Sequence, residues 1–169
     1  MSEGAPKCRW IFDGLLVDVM PVSGEAADLR SRWFPEALAA AREIELVEGI
    51  AGYIITAPYF IATKLEAFSD RGNKDYYGSV DLEDIITILD GRKSILQEIE
   101  ELPQSIRIYL TKTFSELIND RVFMESLPGH LLPDAASQQR IPRLLAILRR
   151  LADFQEGNKE QSCRHPSGV

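Results

Sequence analysis

The chain is poor in the residues that build metal and redox centres. It has two cysteines, Cys8 and Cys163, near opposite ends, and two histidines, His130 and His165. Without a CxxC pair there is no zinc-ribbon or dithiol signature, and two reduced thiols are the plain reading. Long apolar runs are also missing: none approaches the ~20 residues that a membrane helix needs. The first residues, "MSEGAPKCRW", lack the apolar core of a secretory signal. A soluble cytoplasmic protein with no membrane partner is therefore expected. Positive charge is short, with 19 Lys+Arg against 26 Asp+Glu and a net charge of −7. That balance disfavours broad nucleic-acid binding, which depends on phosphate neutralisation, but it leaves room for a local basic patch.

Apolar material is present in quantity. At 169 residues and 45% hydrophobic, the chain can bury a core as one domain, or as a small domain with a helical annex. "CRWIFDGLLVDVM" reads as a β-hairpin around the favoured turn Asp13-Gly14. In its second arm Leu16, Asp18 and Met20 share one face and Val17 and Val19 the other, until Pro21 stops the strand. A short helix is predicted over Pro35 to Glu43, then a short strand over Tyr53 to Thr56 that can pair with "IELVEG". Pro58 opens a helix that runs to Asp70 or Arg71 and ends at Gly72. "RGNKDYYGS" reads as a loop. A helix from Asp81 carries Leu82, Ile85, Ile86 and Leu89 on one face and breaks at Asp90-Gly91.

Further helices are predicted over Lys93 to Leu102, Gln104 to Asn119 and Arg140 to Phe154, while "GHLLPDAASQQR" reads as a loop. Arg143, Arg149 and Arg150 decorate the last helix as a solvated face. Strands first and helices later give an α+β fold, a small antiparallel or mixed sheet followed by a C-terminal helical bundle. The expected partition is 1–57 for the sheet region, 58–156 for the helical region and 157–169 for a disordered tail.

Three polar clusters interrupt the apolar periodicity. Asp18 sits between valines on its strand. Lys64 and Arg71 are seven residues apart, hence on one helix face two turns apart. Asp81 and Asp84 are three apart and again share a face. A carboxylate strand, a basic helix and an acidic helix start can converge on a site for phosphate and metal.

"VDVMP", "RSRWFPEAL", "APYFIATKLEAFSDRG" and "DYYGSVDLEDIITILDGR" together resemble the nucleotidyltransferase family of the AbiEii/AbiGii toxin type, within the DNA polymerase beta-like nucleotidyltransferase superfamily. The resemblance covers roughly Cys8 to Arg92, about half the chain. It implies transfer of a nucleotidyl group from an NTP to a hydroxyl on RNA or protein, with Mg2+ as cofactor and a separately encoded antitoxin as partner. By the same resemblance Asp18 and Asp81 are the catalytic carboxylates, Lys64 and Arg71 hold the triphosphate, and Asp18 and Asp84 ligate metal. The physical need is that magnesium takes oxygen ligands, usually one or two carboxylates together with substrate phosphates. The family's "GS…DxD" element does not precede Asp18, since "MSEGAPKCRWIFDGLLV" contains neither part. The resemblance thus implies a chain that lacks the family's N-terminal part, with one carboxylate where three are expected and catalysis impaired.

Plainer readings stand beside these. Asp18 can be a charge on a half-exposed strand, paired with Arg9 or Lys64. Lys64 and Arg71 can be ordinary surface charges. Asp81 can be an N-cap, with Asp84 as the acidic partner of a capping box. Trp10 and Trp33 read as packing residues, and His130 as structural or exposed. The competing function is a non-catalytic remnant or protein-interaction module, whose exposed sheet edge beside "LLVDVM" invites pairing into a homo-oligomer. RNA binding through the last helix is a weaker third reading.

Overall fold

Asp-Gly at a hairpin tip works because both residues accept positive φ, and Asp13 and Gly14 adopt φ 47° and 78°. The computed structural model describes residues 9–19 and 31–154, and of Arg9 and Asp18 the backbone alone. The expectations for Met20, Pro21, Cys8, Cys163, His165 and the tail beyond residue 154 lie outside the described residues. Strands β1 (Arg9–Phe12) and β2 (Leu15–Asp18) pair antiparallel, with Trp10 opposite Val17, Ile11 opposite Leu16, Phe12 opposite Leu15 and Arg9 opposite Asp18.

The protein is α+β, as the order of its elements implies, but the β structure is not one sheet. A second antiparallel hairpin, β3 (Arg42–Val47) and β4 (Ile50–Ile54), stands as its own two-stranded sheet with an irregularity between Glu45 and Val47. Its turn uses Gly49 at φ 78°, and the Gly49 N–H donates to Glu45 Oε1 at 3.0 Å. This hairpin corrects the predicted boundaries. The helix expected to reach Glu43 is α1 (Phe34–Ala39), and the strand expected at Tyr53 to Thr56 begins at Ile50. Ile44, Leu46 and Val47 around a Glu-Gly turn favour pairing over helix.

Two compact units are present, 1–74 and 75–169. In the first, α2 (Ala57–Arg71) starts with Pro58 in its first turn and buries Tyr59, Ile61, Ala62, Leu65 and Phe68. Helix α1 packs on α2, with Trp33 and Ala37 buried. Glu66 fastens the approach to α1: its carboxylate accepts from the Ser31 hydroxyl, from the Arg32 N–H at 2.9 Å, and pairs with Arg32 Nε at 3.1 Å.

The second unit is helical. It comprises α3 (Val80–Gly91), α4 (Ile95–Glu100), α5 (Gln104–Asn119), α6 (Arg121–Ser126), a 3-10 turn at Leu127–His130, α7 (Ala135–Gln138) and α8 (Ile141–Ala152). Helix α8 presents Leu144, Leu148 and Leu151 to α5, and also packs on α3 and α4. Leu82, Ile85, Ile86, Leu89, Ile106, Leu110, Phe114 and Phe123 complete the core. Each such side chain contributes about 1.5–3 kcal/mol on burial. Helix α7 replaces part of the predicted loop: Asp134 caps it by accepting from Ser137 N at 2.9 Å. No helix among the described residues is long and apolar enough to cross a membrane.

Candidate functional site

The first unit carries the basic pair. Lys64 is half-buried on α2, its ammonium 5.4 Å from the centroid of the Phe60 ring one turn earlier. A cation over an aromatic face is attracted by the ring quadrupole. Arg71 is exposed at the last position of α2, where a cation also suits the helix dipole. Both cations are engaged in hydrogen-bonding, ring or electrostatic contacts. Glu66, the acid nearest to Lys64 in sequence, is occupied by Ser31 and Arg32.

The second unit carries the acidic pair. Ser79, not Asp81, is the N-cap of α3: its hydroxyl accepts from Leu82 N at 3.3 Å. The capping expectation for Asp81 is thereby corrected. Asp81 lies in the first helical turn and is only 8% exposed. Asp84, one turn on, is half-buried, and both carboxylates have polar or electrostatic partners.

Asp18 is the last residue of β2, opposite Arg9 at the open end of its hairpin. Among the described residues that hairpin has no extensive contact with α2. Trp10, read from sequence as a packing residue, is exposed, whereas Trp33 is buried as expected. Among the described residues no group of three or more His, Cys, Asp or Glu side chains is arranged to hold a metal ion. No family model, curated protein or solved structure matches the chain.

Two arrangements in the second unit went unread in the sequence. Tyr76, in the loop before α3, donates its hydroxyl to Asp120 Oδ2 at 2.9 Å. Asp120 Oδ1 in turn caps α6, accepting from Val122 N at 2.8 Å and Phe123 N at 3.3 Å. Phe123 meets the Tyr76 ring edge-on at 6.0 Å. His130 Nε2 lies 2.7 Å from the Tyr76 carbonyl. A carbonyl only accepts, so Nε2 carries the proton and the histidine is structural. Burial first, then the bond to Asp120, raises the Tyr76 hydroxyl above its ordinary pKa; burial first, then Glu36, does the same to Tyr59. Second, a cavity of about 310 Å³ opens where α5 meets the end of α8, lined by Gln104, Arg107, Ile108, Thr111, Lys112, Ser115, Ala152 and Phe154. The recurrence of polar residues at 104, 107, 111 and 115 was its sequence signal. On a single helix that signal is indistinguishable from a solvated face.

Proposed function

We propose that the chain is a nucleotidyltransferase-like protein of the toxin type, directed at an NTP and a hydroxyl acceptor on RNA or protein, with transfer impaired and a separate antitoxin as partner. The observation that carries the reading is Asp81. Ser79 already caps α3, so the helix start needs no second cap, yet Asp81 is kept nearly out of water. Shielding a carboxylate costs several kcal/mol unless charge and hydrogen bonds offset it, and Asp81 has polar or electrostatic partners that do so in part. A reaction that must take a proton from an acceptor hydroxyl gives that position a purpose.

In this proposal Lys64 and Arg71 bind the triphosphate, Lys64 as a point charge and Arg71 through its planar fork. Asp81, in the second unit, is proposed as the base for the acceptor hydroxyl; in nucleotidyl transfer the acceptor oxygen attacks the α-phosphorus, the bond from that phosphorus to the bridging oxygen breaks and pyrophosphate leaves. The Mg2+ of this reading would arrive already bound to the triphosphate, where it would neutralise phosphate charge, and Asp18 and Asp84 are each carried over as its ligands from the resemblance alone.

Calorimetry tests the proposal. The protein should bind NTP in the presence of Mg2+, and Lys64→Ala should weaken binding about tenfold, equivalent to about 1.4 kcal/mol. Asp81→Asn should spare binding and abolish transfer. Absence of heat at ligand concentrations on the order of 1 mM would sink the reading.

A second reading, a non-catalytic protein-interaction module, is favoured by the β1–β2 hairpin. One of its faces is wholly apolar and exposed: Trp10 at 64%, Phe12 at 75%, Leu15 at 66% and Val17 at 41%. Contiguous apolar surface of this kind marks a place where another surface docks.

A further inference from the structure

Helix α5 has two opposed faces. Ile106, Leu110, Phe114 and Leu117 go into the core. On the other side Arg107, Thr111 and Ser115 repeat every four residues, with Gln104, Ile108 and Lys112 beside them, and all line the cavity with Ala152 and Phe154. An ordinary solvated face leaves its cations in water, as Lys112 is here at 76% exposed, but Arg107 departs from that pattern. Here the Arg107 Nε–H is shielded from solvent and has no hydrogen-bond partner. A shielded donor without a protein partner on a charged group is costly, and an ordered water or a bound ligand is its usual occupant. The other cation of the cavity, Lys112, is only loosely engaged, 3.9 Å from an exposed Glu116 carboxylate.

The shape and the chemistry agree on what would fit. About 310 Å³ is at the small end of the volumes that take small organic ligands. Two cations and two hydroxyls on one helix face suit an oxyanion, and the Nε edge of a guanidinium suits a pair of anionic oxygens. Ile108 and Phe154 add an apolar wall that a bare inorganic ion would not use.

We propose that the α5–α8 cavity binds a small phosphate monoester with an apolar substituent, its phosphate held by Arg107 and Lys112 with the Thr111 and Ser115 hydroxyls, its substituent against Ile108 and Phe154. The site lies wholly in the second unit and does not depend on the nucleotidyl-transfer reading.

The test is titration of the full chain with phenyl phosphate, inorganic phosphate and benzoate, followed by amide chemical shifts. Phenyl phosphate should shift the amides of α5 and the end of α8 with a dissociation constant on the order of 1 mM. Inorganic phosphate should bind more weakly for want of the apolar contact, and benzoate more weakly for want of a second anionic charge. Arg107→Gln should weaken phenyl phosphate about tenfold, whereas Lys64→Ala should leave it unchanged. Phe154→Ala should cost affinity for phenyl phosphate and none for inorganic phosphate, a readout that survives if Arg107→Gln fails to fold. No shifts at α5 up to about 10 mM would overturn the proposal. So would equal affinity for the three anions, or binding indifferent to both cavity variants.

Discussion

A tyrosine hydroxyl withheld from water needs an acceptor, and Tyr76 finds one 44 residues away in the capping aspartate of α6. The pair ties the loop before α3 to the α5–α6 corner. Tyr76→Phe keeps the ring against Phe123 and deletes only this bond, so it should destabilise the second unit by about 1–2 kcal/mol, seen as a lower urea midpoint at unchanged slope. The pH dependence follows from the raised pKa. The folded state holds the hydroxyl proton to higher pH than the unfolded state does. The bond's contribution is complete below the ordinary value of 10.0 and is lost as pH rises through the raised folded value. The gap between wild type and Tyr76→Phe should therefore narrow above pH 10, while the contribution of Tyr59 cancels in the comparison. Parallel pH profiles would show that Asp120 does not hold the hydroxyl. Nothing local in "NKDYYGS" distinguishes Tyr76 from its exposed neighbour Tyr77; the distinction is made by a distant helix corner.

At the scale of the element, capping decides where the helices begin. Ser79, Asp120 and Asp134 each accept from backbone N–H groups of the first turn of α3, α6 and α7. Ser79→Ala should cost about 1 kcal/mol, whereas Asp81→Asn, which leaves the cap in place, should change stability differently and report on the environment of the carboxylate. Equal losses in the two variants, by denaturant titration, would count against the assignment of the cap. These caps also explain which elements were legible. Helix α5 spans Gln104–Asn119 as read, because Pro103 starts it and sixteen residues give the 3.6-residue period room to show. Helix α7 has four residues, too few for any period, and its one signal, an aspartate before "AASQ", is shared with many turns. The site was legible in the same uneven way. The spacing of Lys64 with Arg71 and of Asp81 with Asp84 fixes each pair on one helix face, but periodicity carries no information on whether two elements meet. Asp81 illustrates the limit: its place at the helix start was readable, and its burial behind a serine cap was not.

At the scale of the whole molecule the unanswered surface is the β1–β2 hairpin. A two-stranded hairpin is marginal in water by itself, and among the described residues this one has no extensive contact with another element. Trp10, Phe12, Leu15 and Val17 form one face, Ile11 and Leu16 share the other, and Val19 is exposed just beyond β2. With ~150–250 Å² for each large aromatic side chain and somewhat less for the aliphatic ones, the exposed fractions of Trp10, Phe12, Leu15 and Val17 sum to on the order of 500 Å² on one face, less than the ~800 Å² each partner gives to a standard interface, so weak association is expected. A second copy of the chain offers a surface of matching character: like faces can stack about 10 Å apart as in a sandwich, and the open strand edges can add hydrogen bonds. Sedimentation should show self-association at concentrations on the order of 10–100 µM, and a Trp10→Thr, Phe12→Thr double variant should return the protein to monomer. Thr keeps β propensity, so the hairpin turn at Asp13-Gly14 need not be lost with the apolar face. A salt titration adds a second axis, because an interface of this composition should strengthen in sulfate, whereas association through the surface charges should weaken as they are screened. A monomer throughout this range, or association that the double variant leaves intact, would remove the second copy as the occupant and leave the hairpin as a docking face for a different chain.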